Sequence, residues 1–416
     1  MQLNFYYDNI VGNQFMNNFI PYKTIKSYIK NPNNDFRSMT PARINSIIPT
    51  FMNNFSSIDI NYMPAASIPY QSKMFNNGKN IFSYEPWHFD SSPDSYKFDF
   101  NHSFLKNFSN DADILVFYPT EGFHFNKRHY LFDILHKQFP RSNIRFVFGN
   151  LKTPNWTKNT PWLIYKSFDY WWHDAAQMTK NNAVLDLDKD KLVTKSFSFY
   201  NRRMNMHRAI VYKDLLDSNL LQDADYTFHG RCNLSISNVI RVHLDDIKTS
   251  PENSEFTKII ESLEFLQFAE NNMQKESSES QNLELYEKDV FYQTSYLDLI
   301  TETLVDDNED NLFITEKTYR SIVSGNIFLI IGQPGVLEYL KSHGIKTFDD
   351  IFDESYDSKL HWYERWKIIK NNLIKWINLG PHTQEQYYKD NFDKIQHNRS
   401  VILNRDFTND VINIFK

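Results

Sequence analysis

The stretch that most restricts the fold of this 416-residue chain is Phe313–Gly335, FITEKTYRSIVSGNIFLIIGQPG. Ile327–Ile331 is apolar at every position and only five residues long. Such a run leaves no face for water, as expected of a central strand in a parallel sheet covered on both sides. Before it, Thr315 is a good N-cap residue, Glu316 and Lys317 fill a first helical turn, and Gly325 ends the helix. After it, Gly332-Gln-Pro-Gly335 forms a loop at the carboxyl end of the strand, and Val336–Ser342 reads as a second helix. Glycine is scarce, 10 residues in the whole chain, yet Gly325, Gly332, Gly335 and Gly344 all fall within residues 325–344.

The same alternation recurs upstream. Ile114–Tyr118 (ILVFY) reads as a strand, residues 127–138 as a helix and Ile144–Phe148 as a strand, the unit of a parallel α/β sheet. Phe197–Tyr200, Met206–Ser218 and Asp225–Phe228 repeat it, and Phe291–Leu299 is strand-like. Residues 1–110 read as short strands and loops, 255–270 as a helix and 271–288 as a polar insertion. The polar run Asp186–Lys191 lies at a seam near 185–195. The expected class is therefore α/β, with two Rossmann-like domains facing a cleft and a C-terminal helical tail. The expected boundaries are 1–190, 191–375 and 376–416, with the tail crossing back to the first domain.

Composition excludes several classes. Aromatic residues make up 16% of the chain, enough for a large core. A formal net charge of -6 argues against a globally basic nucleic-acid coat, though not against a local basic groove. Cys232 is the sole cysteine, so no internal disulfide or multi-cysteine metal site can form. The N-terminal residues lack a signal-peptide pattern, and no apolar run approaches the roughly 20 residues of a membrane span. These features predict a cytoplasmic protein. Trp362–Ile377 is an amphipathic helix for a domain seam or a membrane surface. Trp171 and Trp172 read as core or as acceptor-stacking residues.

The chemistry concentrates at Thr315–Arg320. A helix N-terminus favours anions such as a diphosphate. Lys317 and Arg320 add charge, and Glu316 can accept from sugar or ribose hydroxyls. The bland alternative is a first-turn Glu that complements the helix dipole beside a solvated Lys.

FITEKTYRSIVSG followed by IFLIIG resembles the motif of the α1,3-fucosyltransferases and of fucosyltransferase-like glycosyltransferases of phages and marine bacteria. Ser295–Leu304 with Glu302, Ser355-Tyr356-Asp357 and Phe197–Leu215 resemble flanking blocks of that family, so the likeness covers about residues 195–365. It implies a GT-B fold and a nucleotide-diphosphate sugar as co-substrate, held by the C-terminal domain, with no metal or other cofactor. The motif pair maps onto Glu316 and Lys317, and the diphosphate-binding arginine onto Arg208, with Arg202 and Arg203 as alternatives.

An inverting transfer also needs a base for the acceptor hydroxyl. Glu121, after the ILVFY strand, is the first candidate, then His124 or Glu85. Asp186-Leu-Asp188 carries metal-type carboxylates but reads as solvated linker. The acceptor is expected to be a glycan or lipid-linked sugar. Alternatives are a hydroxylated base in phage DNA, or a non-catalytic binding module with a degenerate version of the fold.

Overall fold

The computed structural model describes residues 2–7, 59–64, 79–84, 113–118, 136, 140, 144–152, 162–181, 187–203, 206–231, 293–306, 312–359, 361–407 and 410. The chain divides into two compact units. One holds residues 1–170 and 406–416, the other residues 171–405.

The first unit is built on a six-stranded sheet: β1 (Gln2–Tyr7), β2 (Asp59–Pro64), β3 (Lys79–Tyr84), β4 (Asp113–Tyr118), β5 (Ile144–Phe148) and β6 (Leu163–Ser167). Their order is β2-β1-β3-β4-β5-β6, and every neighbouring pair is parallel. Residues 1–110, expected as short strands and loops, thus supply three of the strands. Ile144, Phe146 and Val147 are fully buried. Ser167 and Tyr165 donate to the Asn150 carbonyl, tying β6 to the chain after β5. Phe407 returns to pack edge-on against Phe168, ring centroids 6.1 Å apart.

The second unit begins at the second residue of α1 (Tyr170–Asn181) and continues through β7 (Phe197–Arg203), α2 (Met206–Asp217), β8 (Ala224–Arg231), β9 (Leu297–Thr301), α3 (Glu316–Val323), β10 (Ile327–Ile331) and α4 (Val336–Ser342). Three helices follow: α5 (Trp362–Asn378), α6 (Gly380–Asp390) and α7 (Phe392–Asn404). The four strands are parallel in the order β10-β9-β7-β8. Ile327–Ile331, expected as a central strand, is instead an edge strand among the described residues, yet every residue of β9 and β10 is buried because α3 and α5 pack against β10. Parallel neighbours need crossovers: α2 joins β7 to β8, and α3 joins β9 to β10.

Gly325 ends α3 with φ +79, a left-handed conformation that a side chain disfavours. A Cβ there would also stand 2.6 Å from Leu187 Cδ2. Leu187 belongs to the polar run expected to be solvated, and that expectation is corrected at two positions. Leu187 packs on Gly325, and Lys191 is buried, donating to Asn326 Oδ1 at 2.5 Å beneath the Tyr388 ring. Asn326 donates in turn to Asp298 Oδ2 at 2.9 Å, and Ser198 donates to Asp298 Oδ1. Burial pushes the Asp298 carboxyl up and the Lys191 ammonium down to about 8.

The membrane-surface alternative for the tryptophan-rich helix is also corrected. Trp362, Trp366 and Trp376 on α5 are all buried. Trp366 donates to Asp214 on α2 at 2.8 Å and Trp376 to the Ser196 carbonyl at 2.8 Å. The apolar face of α5 is spent on β10 and α2. Among the described residues, no helix is long and apolar enough to cross a membrane.

Candidate functional site

Strand order locates the site before any side chain is considered. From β7 the chain crosses to β8 on one side, and β9 and β10 lie on the other. The switch point is therefore between β7 and β9, and ligands of such sheets bind outside the carboxyl ends there. Among the described residues, β7 and β9 are in register at Phe197↔Leu297 and Ser198↔Asp298 and no further, so their carboxyl halves part. Side chains join them instead: Thr301 at the end of β9 donates to Asn201 Oδ1 on β7.

Three basic or amide groups gather at this end. Arg208, in the first turn of α2, is 3% exposed and donates through Nη2 to the Thr301 carbonyl at 3.2 Å. His207, beside it, places Nε2 at 2.9 Å from the Glu302 carbonyl. A carbonyl only accepts, so this nitrogen carries the proton. Asn201 is 1% exposed, and its amide nitrogen is buried with no hydrogen-bond partner among the described residues. An unsatisfied buried donor costs about 1–3 kcal/mol, which a ligand acceptor would offset.

Glu302 organises the other side. It directly follows β9 and is fully buried. Its Oε1 accepts from the Thr315 N–H at 3.0 Å and the Thr318 hydroxyl at 2.5 Å. Its Oε2 accepts from the Thr315 hydroxyl at 2.6 Å and the Thr303 N–H at 3.2 Å. With both oxygens used inside the protein, this carboxylate positions the start of α3. The start of α4 is treated alike: the Asp357 carboxylate accepts from the Leu337 and Glu338 N–H groups, each at 3.0 Å. Anion binding here therefore depends on formal cations more than on free helix ends.

Thr315 is the N-cap of α3, as its sequence position implies. Lys317 extends Nζ to Glu316 Oε1 at 2.9 Å, Thr315 Oγ1 at 3.1 Å and Thr303 Oγ1 at 3.4 Å. Both members of the pair are partly exposed. Burial pushes the Glu316 carboxyl up, but the charge and hydrogen bond of Lys317, with Arg320, outweigh it and hold the group at about 2. The β9–α3 connection is pinned at both ends. Arg365 on α5 donates to the Val305 carbonyl at 2.6 Å, and Gln333 donates to Asp306 at 2.6 Å and accepts from the Phe313 N–H at 2.7 Å.

The structure thus brings Thr315, Glu316, Lys317, Glu302 and Arg208 to one end of one sheet, with Arg320 one turn along α3. Arg202 and Arg203 end β7, and their side chains lie outside the described residues. So do Glu121, His124, Glu85, Asp186 and Cys232. Sequence reasoning missed Asn201, His207, Gln333 and Arg365 as members of this neighbourhood. Only Asn201 and His207 carried a signal, because they bracket the strand-to-helix turn that enters α2.

No protein-family model matches the chain, and no curated protein matches it. A solved structure of the DNA modifying enzyme beta-glucosyltransferase, determined in the presence and absence of the substrate uridine diphosphoglucose, overlaps 97% of this chain and 100% of its own. The identity is 10% and the TM-score 0.33, a level of likeness that settles neither fold nor chemistry.

Proposed function

We propose that the chain is a nucleotide-sugar-dependent glycosyltransferase of GT-B type whose second unit holds the donor. The observation that carries this reading is the convergence of Lys317, Arg208 and the unpartnered Asn201 amide at the switch point of a parallel sheet, with Glu316 beside them. Cations suit the diphosphate, and a carboxylate held ionised suits ribose or sugar hydroxyls. The likeness of Phe313–Gly335 to the fucosyltransferase motif supports the same roles.

In the inverting reaction we infer, an acceptor hydroxyl attacks the anomeric carbon. The bond from that carbon to the diphosphate oxygen breaks, and its electron pair leaves with the nucleoside diphosphate. The acceptor proton passes to a carboxylate or imidazole of the first unit, Glu121 or His124. Lys317 and Arg208 stabilise the charge that develops on the leaving diphosphate. The acceptor is a glycan or lipid-linked sugar.

A thermal-shift panel of GDP-, UDP-, TDP- and CMP-linked sugars tests the reading. One nucleotide class should raise the Tm of the wild type, by about 2.7 kcal/mol of stability at a hundredfold excess over Kd, and fail to raise that of Lys317→Ala. No shift with any of the four would sink it.

A further inference from the structure

We propose that the Glu316–Lys317 ion pair is a selectivity element, which rejects bare anions such as inorganic pyrophosphate and opens to ligands that bring hydroxyl groups along with a diphosphate. The inference rests on the reading of this end of the sheet as a nucleotide-sugar site. It starts from who already occupies the lysine. Lys317 Nζ has three protein partners, of which one is charged, Glu316 Oε1 at 2.9 Å. Any phosphate that approaches Nζ meets this carboxylate as a competitor.

Glu302, another acid close by among the described residues, does not compete, because Thr303, Thr315 and Thr318 fill both its oxygens. Glu316 differs in two respects. The side-chain hydrogen bond it accepts comes from Lys317, and its side chain is 20% exposed, so it can turn away. It also stays ionised far below neutral pH, so it cannot avoid a second anion by taking up a proton.

Two anions at one ammonium repel over a few ångströms at partial burial, where water screens them poorly. Pyrophosphate has only acceptors facing that carboxylate, so displacing Glu316 costs it the Lys317 hydrogen bond and gives it no donor from the ligand in return, leaving only the more distant charge of Arg320. A nucleotide sugar brings vicinal hydroxyls, each a donor to a carboxylate. Lys317 then passes from Glu316 to the diphosphate while Glu316 passes from Lys317 to the hydroxyls, and no charge loses its partner. Thr303 and Thr315 hold Nζ in place through the exchange. Free diphosphate, a frequent cellular anion, would thereby be kept from blocking the site.

The test is a pair of calorimetric titrations on the full chain. The ligands are inorganic pyrophosphate and whichever nucleotide sugar most raises the wild-type Tm. Glu316→Gln should bind pyrophosphate about tenfold tighter than the wild type and the nucleotide sugar about tenfold weaker. Glu316→Ala, also neutral, should show the same inversion and decides the matter if the Gln variant does not fold by circular dichroism. Lys317→Ala should weaken both ligands. A ratio of the two affinities in folded neutral variants that stays within about twofold of the wild-type ratio overturns the proposal while leaving the donor site intact. A wild type that binds no nucleotide sugar overturns the donor reading itself.

Discussion

Glu302 takes both the backbone N–H and the side-chain hydroxyl of Thr315, at 3.0 and 2.6 Å, across thirteen residues of sequence. One carboxylate at the end of β9 thereby fixes the residue that caps α3, and with it the position of Glu316 and Lys317. A Gln at this position keeps the shape but turns an NH2 toward groups that are themselves donors. Glu302→Gln is therefore expected to lower stability by about 2–4 kcal/mol, read as the shift in urea midpoint at constant slope. Nucleotide-sugar affinity should fall with it, although the residue touches no ligand in the proposed scheme. A variant as stable as the wild type would show that Glu302 does not organise the turn.

Arg208 and the two arginines that end β7, Arg202 and Arg203, can be separated by one conservative change each. Arg208 donates to the Thr301 carbonyl from a buried position at the switch point. A lysine lacks the planar fork needed to hold that carbonyl and a phosphate together. Arg208→Lys is expected to weaken nucleotide binding about tenfold or more, while Arg202→Lys and Arg203→Lys leave it within about twofold. The reverse order in a nucleotide titration would move the diphosphate contact to the end of β7.

Glu316 gives an acid-side prediction. Its folded pKa, about 2, lies below the ordinary carboxyl value of an unfolded chain, about 4.3. The unfolded chain thus binds more protons through that window. The stability Glu316 contributes is complete above pH 4.3 and is lost as pH falls toward 2. Between pH 5 and pH 3 the wild type should lose more stability than Glu316→Gln. Parallel losses in a denaturant series at several pH values would mean that Lys317 does not hold the carboxylate.

Much of the second unit was legible because its signals are local. Ile327–Ile331 and Val336–Ser342 fall at the residues where their composition places them, and Thr315 caps the helix that it introduces. The strands at 2–7, 59–64 and 79–84 were harder to place, because QLNFYY, DINYMP and KNIFSY become a sheet only by pairing with one another. At the site, the motif pair was readable, but the use of Glu302 was not. An acid at the end of a strand looks the same in sequence whether its partners are ligand hydroxyls or threonines thirteen and sixteen residues on. Arg365 and Gln333 escaped for the same reason, since each acts on a loop far from it in the chain.

Lys191 is the sharpest case of that blindness and yields an alkaline-side prediction. In DLDKDK it looks like any solvated lysine, yet it lies under Tyr388 and bonds to Asn326, partners that only the fold supplies. Burial, opposed by the charges of Asp298 and Asp188, holds its folded pKa at about 8, below the roughly 10.4 of an unfolded chain. Between these values the unfolded chain binds more protons, so stability rises with pH instead of falling. Below pH 8 the burial of a charged ammonium is a constant cost, which lessens once the group can be neutral. Lys191→Met keeps the stem's length and its packing against the rings but has nothing to titrate. From pH 8 to 9.5 the wild type should gain stability relative to this variant, measured as the difference between their urea midpoints at each pH. A constant difference across that range would place the Lys191 ammonium in water after all, and with it the polar run that Leu187 and Lys191 anchor.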